Sequence, residues 1–321
     1  MRLLRGSVPS GVFGTESGCV VAIGKFDGLH RGHRVLLEQA ANHARAHGLP
    51  LVVLSFEPLP HEYFAPTTAT TRLARFVTKW HALAELGTVD AFACLRFDRH
   101  LASEPPEDFV CGTLVAGLGA RTIVVGEDFR FGYKRRGDVD LLTRLGNEHG
   151  FEVDAVAAVT GTEGQRISSS QVRHALEAND LNAATALIGR PYTLWGRVVT
   201  GDKLGQRLGF PTANLALGRR PPPLAGIYVV RATGLPEGPR YGVANVGTRP
   251  SVGGTRRLLE IYFPEYSGDL YGRLLKVEFL AWLRAEAHFA DLDALVEAMR
   301  EDVHQAEQWL SERNMNWETV R

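Results

Sequence analysis

The ten residues GKFDGLHRGH, Gly24 to His33, carry the densest chemical signal in the chain. They follow an apolar run and lead into a stretch with helical spacing. A helix start offers unpaired backbone N–H groups and the positive end of a dipole, which together suit a phosphate. Gly24, Gly28 and Gly32 let the backbone approach a ligand closely, and Lys25, Phe26 and Asp27 complete the turn. His30 and His33 can donate hydrogen bonds to oxygens of a triphosphate as it is split. An H-x-x-H pair can also be a metal site, or two incidental histidines. Three glycines at a strand-to-helix turn favour the phosphate reading.

Three further segments could complete such a site. ISSSQVR, Ile167 to Arg173, places Ser168 and Ser169 at a helix start and projects Arg173 from the first turns. Taken alone, an ordinary serine cap with a surface arginine explains it better. GEDFRFGYKRRGD, Gly126 to Asp138, combines Phe129, Phe131 and Tyr133 with Asp128, Arg130, Lys134, Arg135 and Arg136. Its aromatic rings could flank a flat ring system and its cations could bind phosphate; a solvated basic loop is the equal alternative. SFEPLPHEYF, Ser55 to Phe64, follows the next apolar run, where a ligand wall is expected.

The second half holds GDKLGQRLGFPTANL, Gly201 to Leu215. Beyond Pro211, the Thr212 hydroxyl and the Asn214 amide oxygen lie two residues apart. Both are hard oxygen ligands suited to magnesium carrying phosphates. Gly201 and Gly205 flank Lys203 in a loop that could fold over a nucleotide. A proline turn with an Asx-type cap is the purely structural reading of the same residues. Further on, Glu260 sits among apolar neighbours in RLLEIYF, where alternation puts Leu258, Glu260 and Tyr262 on one face. Such a carboxylate is either a salt-bridged barrel residue or a base. A neutral hydroxyl is a poor nucleophile and benefits from a base.

The elements that must position these groups change character midway. Short apolar runs at 20–24, 51–56, 91–97, 121–126 and 151–159 alternate with helical patterns. On the first of these helices, starting near Arg31, Val35, Leu36, Ala40 and Ala44 share a face. Buried strands separated by helices imply a parallel sheet with helices on both faces, binding ligands beyond the carboxyl ends of its strands. Two short helices, 169–178 and 181–188, precede Gly189-Arg190-Pro191. Strand-like runs then follow at 194–200, 226–232, 241–246, 258–263 and 274–283, punctuated by glycine and proline. These imply an antiparallel barrel or sandwich, closed by a helix from Leu292 to about Leu310. The expected domains are 1–187 and 188–321.

Composition narrows the partners. The 321 residues carry 36 basic and 36 acidic side chains, so no bulk field attracts nucleic acid or an anionic membrane. Cys19, Cys94 and Cys111 are isolated and form no C-x-x-C pair, which argues against a disulfide framework or a cysteine zinc site. No uncharged apolar run approaches the roughly 18 residues of a membrane span. The expectation is a cytoplasmic protein, a monomer or weak homo-oligomer, with small-molecule substrates.

In order, GKFDGLHRGH, SFEPLPHEYF, VVGEDFRFGYKRRGD and ISSSQVR resemble the adenylyltransferase module of the bacterial bifunctional riboflavin kinase/FAD synthetases. GDKLGQRLGFPTAN, GIYVV, YGVANVGTRPSVGG, LLEIYF, SGDLYG and LRAEAHF resemble its kinase module. The resemblance implies a Rossmann-like nucleotidyltransferase domain followed by a six-stranded antiparallel barrel with Greek-key character and a terminal helix. It implies ATP-dependent phosphorylation of riboflavin to FMN, then adenylylation of FMN to FAD. His30, Gly32 and His33 would bind ATP phosphates, assisted by Ser168, Ser169 and Arg173, with Asp128 to Phe131 on the flavin side. Thr212 and Asn214 would hold Mg–ATP, and Glu260 would be the base.

The sequence departs from the family's pattern at Lys25, where asparagine is common, at Ser170, where threonine is usual, at Tyr262, where histidine is frequent, and at Pro264-Glu265-Tyr266. The alternatives are a chain retaining only one of the two activities, a non-catalytic flavin-binding protein, or a relative of the aminoacyl-tRNA synthetases. The balanced charge opposes the last.

Overall fold

Six parallel strands build the first sheet: β1 (Arg2–Gly6), β2 (Cys19–Ile23), β3 (Leu51–Glu57), β4 (Ala91–Arg96), β5 (Ala120–Gly126) and β6 (Glu152–Val156). Their order is β1-β4-β3-β2-β5-β6. All five residues of β2 are buried, as are the first five of β3 and of β4, the pattern of strands covered on both faces. The computed structural model describes residues 1–9, 11–13, 18–66, 71–161, 164–201, 204–218, 221–251 and 254–318.

Helices alternate with these strands: α1 (Arg31–His47), α2 (Pro60–Phe64), α3 (Phe76–Ala84), α4 (Arg99–Ser103), α5 (Pro106–Asp108) continuing as a π-helix over Phe109–Leu118, and α6 (Val139–His149). The first buries Leu36, Leu37, Ala40, Ala41 and Ala44 against β2, β3 and β5 and ends at Gly48, whose φ of 64° suits glycine. Val35, expected on that face, is instead 37% exposed. The strands start or stop within a few residues of the expected apolar runs. The edge strand β1 and the short helices α2 and α4 were not anticipated.

Strand order reverses between β2 and β5, because β3 and β4 extend the sheet on one side and β5 and β6 on the other. In an open α/β sheet the crevice beyond the carboxyl ends at such a reversal is the expected ligand seat. The Gly24–His30 turn leaves β2 there, and the Asp128–Phe131 loop follows β5.

The second sheet is a closed barrel of β7 (Thr193–Val199), β8 (Thr212–Ala216), β9 (Gly226–Thr233), β10 (Arg240–Ser251), β11 (Gly254–Tyr262) and β12 (Leu274–Arg284), in the order β10-β11-β8-β7-β12-β9, every pair antiparallel. Closure removes the exposed edges that a sandwich would keep. Five of the six strands match the expected runs; β8 had been read only as the Pro-Thr-Ala-Asn clasp. The interior is filled by Tyr228, Val230, Ala244, Val246, Leu259, Ile261, Val277 and Phe279, all buried.

Helices α7 (Ser169–Glu177) and α8 (Leu181–Ile188) contribute Val172, Leu176, Leu181, Ala184 and Ile188 to the same core. A single turn, α9 (Leu204–Arg207), precedes β8, and α10 (Leu292–Ser311) covers the outer face with Val303, Ala306 and Leu310 against Ile227, Val229 and Val243. By packing, the chain divides into Met1–Thr70 with Lys79–Ser168, and Thr71–Thr78 with Ser169–Arg321. The 71–78 segment is tied to the barrel by hydrogen bonds from Arg75 to the carbonyls of Ala216 and Trp195, and from the Tyr192 hydroxyl to the Leu73 carbonyl.

Candidate active sites

The first site grows from the β2–α1 turn. Phe26 and Leu29 adopt φ of 48° and 44° and Gly28 of 88°, so the chain reverses tightly. Such strain in non-glycine residues persists only where the surroundings enforce it. Phe26, fully buried, supplies that constraint. A Cβ at Gly24 would stand 3.0 Å from its ring, which is why glycine sits there. His30 caps α1, its Nδ1 accepting from the His33 backbone N–H at 3.4 Å. The two imidazoles stack with centroids 3.7 Å apart. A Cβ at Gly32 would lie 3.3 Å from the His30 ring, so glycine keeps that side of the ring clear.

Both imidazoles are held neutral. Burial, then the charge of Arg166, pushes His30 down to about 4. Burial, then the charges of His30 and Lys79, lowers His33 well below its ordinary value. His33 Nδ1 is buried with no hydrogen-bond partner among the described residues, a polar atom left for a ligand to satisfy.

Cations surround the pair. Lys79, only 3% exposed, donates to the Lys25 carbonyl at 2.5 Å and to Ser55 Oγ at 3.2 Å. Arg166 pairs with Asp128 at 2.8 Å, and that hydrogen bond holds the Asp128 carboxyl below its usual range. The arrangement is a neutral donor pair beside fixed positive charge at a helix tip, which suits a polyphosphate.

The structure thus brings Gly24, Lys25, Phe26, Asp27, Gly28, His30, Gly32, His33 and Asp128 to one end of the sheet. Phe131 is 7% exposed and packs on Phe109 and Phe129, with centroids 6.1 and 5.4 Å away, so its ring braces the loop. Arg130 is bound to Asp138 at 2.7 Å. Ser168 ends the first unit. Ser169 and Arg173 belong to α7 in the second, where Arg173 Nε donates to the Thr71 carbonyl at 2.8 Å. Sequence reasoning did not single out Lys79 or Arg166. Arg166 adjoins a quoted motif, whereas Lys79 lies in a helix with no motif around it.

The second site lies on the outer face of the barrel, beneath α10. Register aligns Asn245 of β10, Glu260 of β11 and Asn214 of β8 in one cross-strand row, and Val243, Tyr262 and Thr212 in the next. Leu259 and Ile261 point inward and are fully buried, as alternation requires. The rows wall a cavity of about 110 Å³ whose lining mixes polar residues, Thr212, Asn245, Glu260 and Arg284 among them, with apolar ones such as Ile227 and Met299.

Asn214 Nδ2 donates to the Thr212 carbonyl at 3.2 Å, while its Oδ1 is buried without a partner among the described residues. An oxygen donor left in that condition fits a hard cation or a ligand's donor. A Cβ at Gly201 would lie 2.5 to 2.7 Å from that amide, and one at Gly205 would collide with the Phe210 carbonyl. Glycine at 201 therefore leaves room for the Asn214 amide, and glycine at 205 for the Phe210 carbonyl. Pro211 precedes β8 directly, and Phe210 meets the Tyr262 ring edge-on at 5.2 Å. Burial raises the Tyr262 hydroxyl, with the charge of Glu265 adding to it. Lys203 lies outside the described residues. Sequence reasoning did not single out Asn245, Arg284 or Asp302; Asn245 stood unremarked inside YGVANVGTRP.

Comparison with known proteins finds two matching family models. Residues 13–171 match the family model for FAD synthetase and residues 188–310 that for riboflavin kinase. The chain is 44% identical over 295 residues to the bifunctional riboflavin kinase/FMN adenylyltransferase of Escherichia coli strain K12, covering 92% of this chain and 93% of that one. It is 45% identical over 288 residues to the protein of the same description from Pseudomonas fluorescens, covering 89% and 91%. Among solved structures, one from Streptococcus pneumoniae described as a macrolide-efflux protein superposes with a TM-score of 0.77 at 28% identity, over 96% of this chain and 100% of that one.

Proposed function

The chain belongs to the bifunctional riboflavin kinase/FMN adenylyltransferases, and from that premise we propose which residues carry each reaction. The protein phosphorylates riboflavin to FMN and adenylylates FMN to FAD, using ATP in both steps. We assign the second reaction to residues 1–187 and the first to 188–321, a division that the extents of the two family matches support.

In the first module an FMN phosphate oxygen attacks the α-phosphorus of ATP, and pyrophosphate leaves. That phosphate is already largely anionic at neutral pH, its second pKa being about 6, so no base is required. The work is alignment and charge stabilisation. His30 and His33 donate hydrogen bonds to the phosphates as neutral imidazoles. The Gly24–Gly28 turn and Gly32 admit ATP, Ser168, Ser169 and Arg173 assist, and Asp128 to Phe131 border the flavin.

In the kinase module Glu260 takes the proton of the terminal ribityl hydroxyl. Its oxygen attacks the γ-phosphorus, and ADP leaves. Thr212 and Asn214 would hold a magnesium ion, with Gly201 and Gly205 flanking the nucleotide side and Pro211 fixing the approach to the clasp. When bound, the ion supplies charge neutralisation to the transferring phosphate. The observation that carries these assignments is the register of Glu260 with Asn214, whose amide oxygen is buried and unpartnered among the described residues.

No helix among the described residues is long and apolar enough to cross a membrane. We place the enzyme in the cytoplasm, where free ATP and flavins meet, with small molecules as its partners. The test is incubation with riboflavin, ATP and magnesium, followed by chromatography of the flavins. Successive FMN and FAD, with ADP and pyrophosphate released, are expected. FMN alone would overturn the adenylylation assignments, and no turnover would overturn both sets.

A further inference from the structure

Asn245 lies in register with Glu260, and on its other side with Ile227 of β9. One row therefore runs Ile227, Asn245, Glu260, Asn214 across four neighbouring strands, passing from an apolar residue to the metal clasp. Ile227, Asn245 and Glu260 all line the cavity beneath α10. Asn245 Oδ1 is buried and has no hydrogen-bond partner among the described residues. Its β10 neighbours Ala244 and Val246 are fully buried in the barrel interior, so the amide sits on the outward, cavity side by alternation.

A buried amide oxygen without a partner costs about 1–3 kcal/mol unless something satisfies it. Asn214 has the same condition and is accounted for by the metal clasp. Asn245 has no such role, and it stands one strand further from the clasp, beyond the base. The cavity, at about 110 Å³, is small against the several hundred Å³ that enclose a whole cofactor-sized ligand. It matches one part of the substrate. A substrate whose reacting hydroxyl meets Glu260 can run the rest of its polyol chain along that row, away from the clasp and past Asn245. Each hydroxyl of the chain is a donor needing an acceptor.

We propose that Asn245 contacts riboflavin, its amide oxygen accepting a hydrogen bond from a hydroxyl of the ribityl chain and so setting the reacting end against Glu260. The inference rests on reading the barrel cavity as the riboflavin site. It makes Asn245 a specificity residue for polyol-bearing flavins, since a site built to pair a hydroxyl rejects an analogue that lacks it.

The test separates the chain from the ring. Two non-reacting ligands are titrated onto the full-length protein: 5′-deoxyriboflavin, which keeps the other three hydroxyls, and lumiflavin, which has none. Wild type is compared with Asn245→Ala and with the milder Asn245→Ser. The expected result is a loss of about tenfold in affinity for 5′-deoxyriboflavin in Asn245→Ala, a smaller loss in Asn245→Ser, and unchanged lumiflavin binding in both. Lumiflavin also reports that each variant folds. Equal loss for both ligands, or none for either, would overturn the inference. Failure of wild type to bind either ligand would instead remove the underlying reading of the cavity.

Discussion

His30 Nδ1 accepts the backbone N–H of His33 at 3.4 Å while the two rings lie 23° from parallel. A protonated Nδ1 could not accept, so capping α1 requires a neutral His30. Its pKa is about 4 against an ordinary 6.5. The unfolded chain therefore binds the proton first as pH falls. The stability involved is fully present above about 6.5 and is lost as pH drops toward 4, amounting to about 3 kcal/mol. Urea unfolding of the first module between pH 7 and 4.5 should show this decline. His30→Asn, which keeps a capping acceptor but does not titrate, should remove much of it. Equal slopes in the two proteins would contradict the assignment.

Replacing His30 and His33 together by alanine should abolish FAD formation from FMN, by a factor of about 100 or more. FMN formation from riboflavin should continue at the wild-type rate. Flavin chromatography after incubation with each substrate separately distinguishes the outcomes. Parallel loss of both activities would mean that the two reactions share this site.

Glu260→Gln preserves shape and removes the base. FMN formation should fall between about 100-fold and 10,000-fold, the usual yield of general base catalysis. Adenylylation of added FMN should be untouched. Riboflavin phosphorylation within a few-fold of wild type would show that another group takes the proton.

Much of this was legible in the residues because the two candidate motifs are local. The Gly24–His33 turn sits between an apolar run and a helical pattern, and both formed where expected. Alternation around Glu260 correctly separated Leu259 and Ile261 from the cavity face. What escaped notice depends on pairing between distant segments. The segment Arg2–Gly6 carries two arginines in five residues and becomes a strand by lying beside Ala91–Leu95. Thr212–Ala216 was hidden by the proline before it and is defined by its pairing with Leu258–Tyr262. Lys79 carries no local signal, because its role comes from the Lys25 carbonyl 54 residues away.

Gly201 is a steric prediction. Its φ is not in the left-handed region, so alanine is acceptable to the backbone, but the added Cβ would meet the Asn214 amide at 2.5 Å. Gly201→Ala should displace that amide and lower FMN formation at least about tenfold, in line with misplacing a positioning group. The defect should appear chiefly as a raised magnesium requirement, with FMN adenylylation unchanged. Wild-type magnesium dependence would show that Asn214 does not serve the metal.

Arg284 and Asp302 join the last barrel strand to α10 by two parallel hydrogen bonds, Nε to Oδ1 at 2.6 Å and Nη2 to Oδ2 at 2.7 Å. Both residues also line the cavity beneath α10. The Asp302 side chain is 5% exposed, so Arg284→Met strands a carboxylate in a dry site. That should cost about 3–5 kcal/mol at neutral pH, the usual penalty for breaking a buried pair from one side. Removing both charges in Arg284→Met with Asp302→Leu should restore most of the lost stability, because an apolar pair of similar volume avoids the desolvation cost altogether. Thermal unfolding of the single and double variants at pH 7 measures both effects. If the single variant unfolds like wild type at pH 7, the pair does not hold α10 on the barrel, and the cavity must be closed by the apolar contacts of Val303, Ala306 and Leu310 alone.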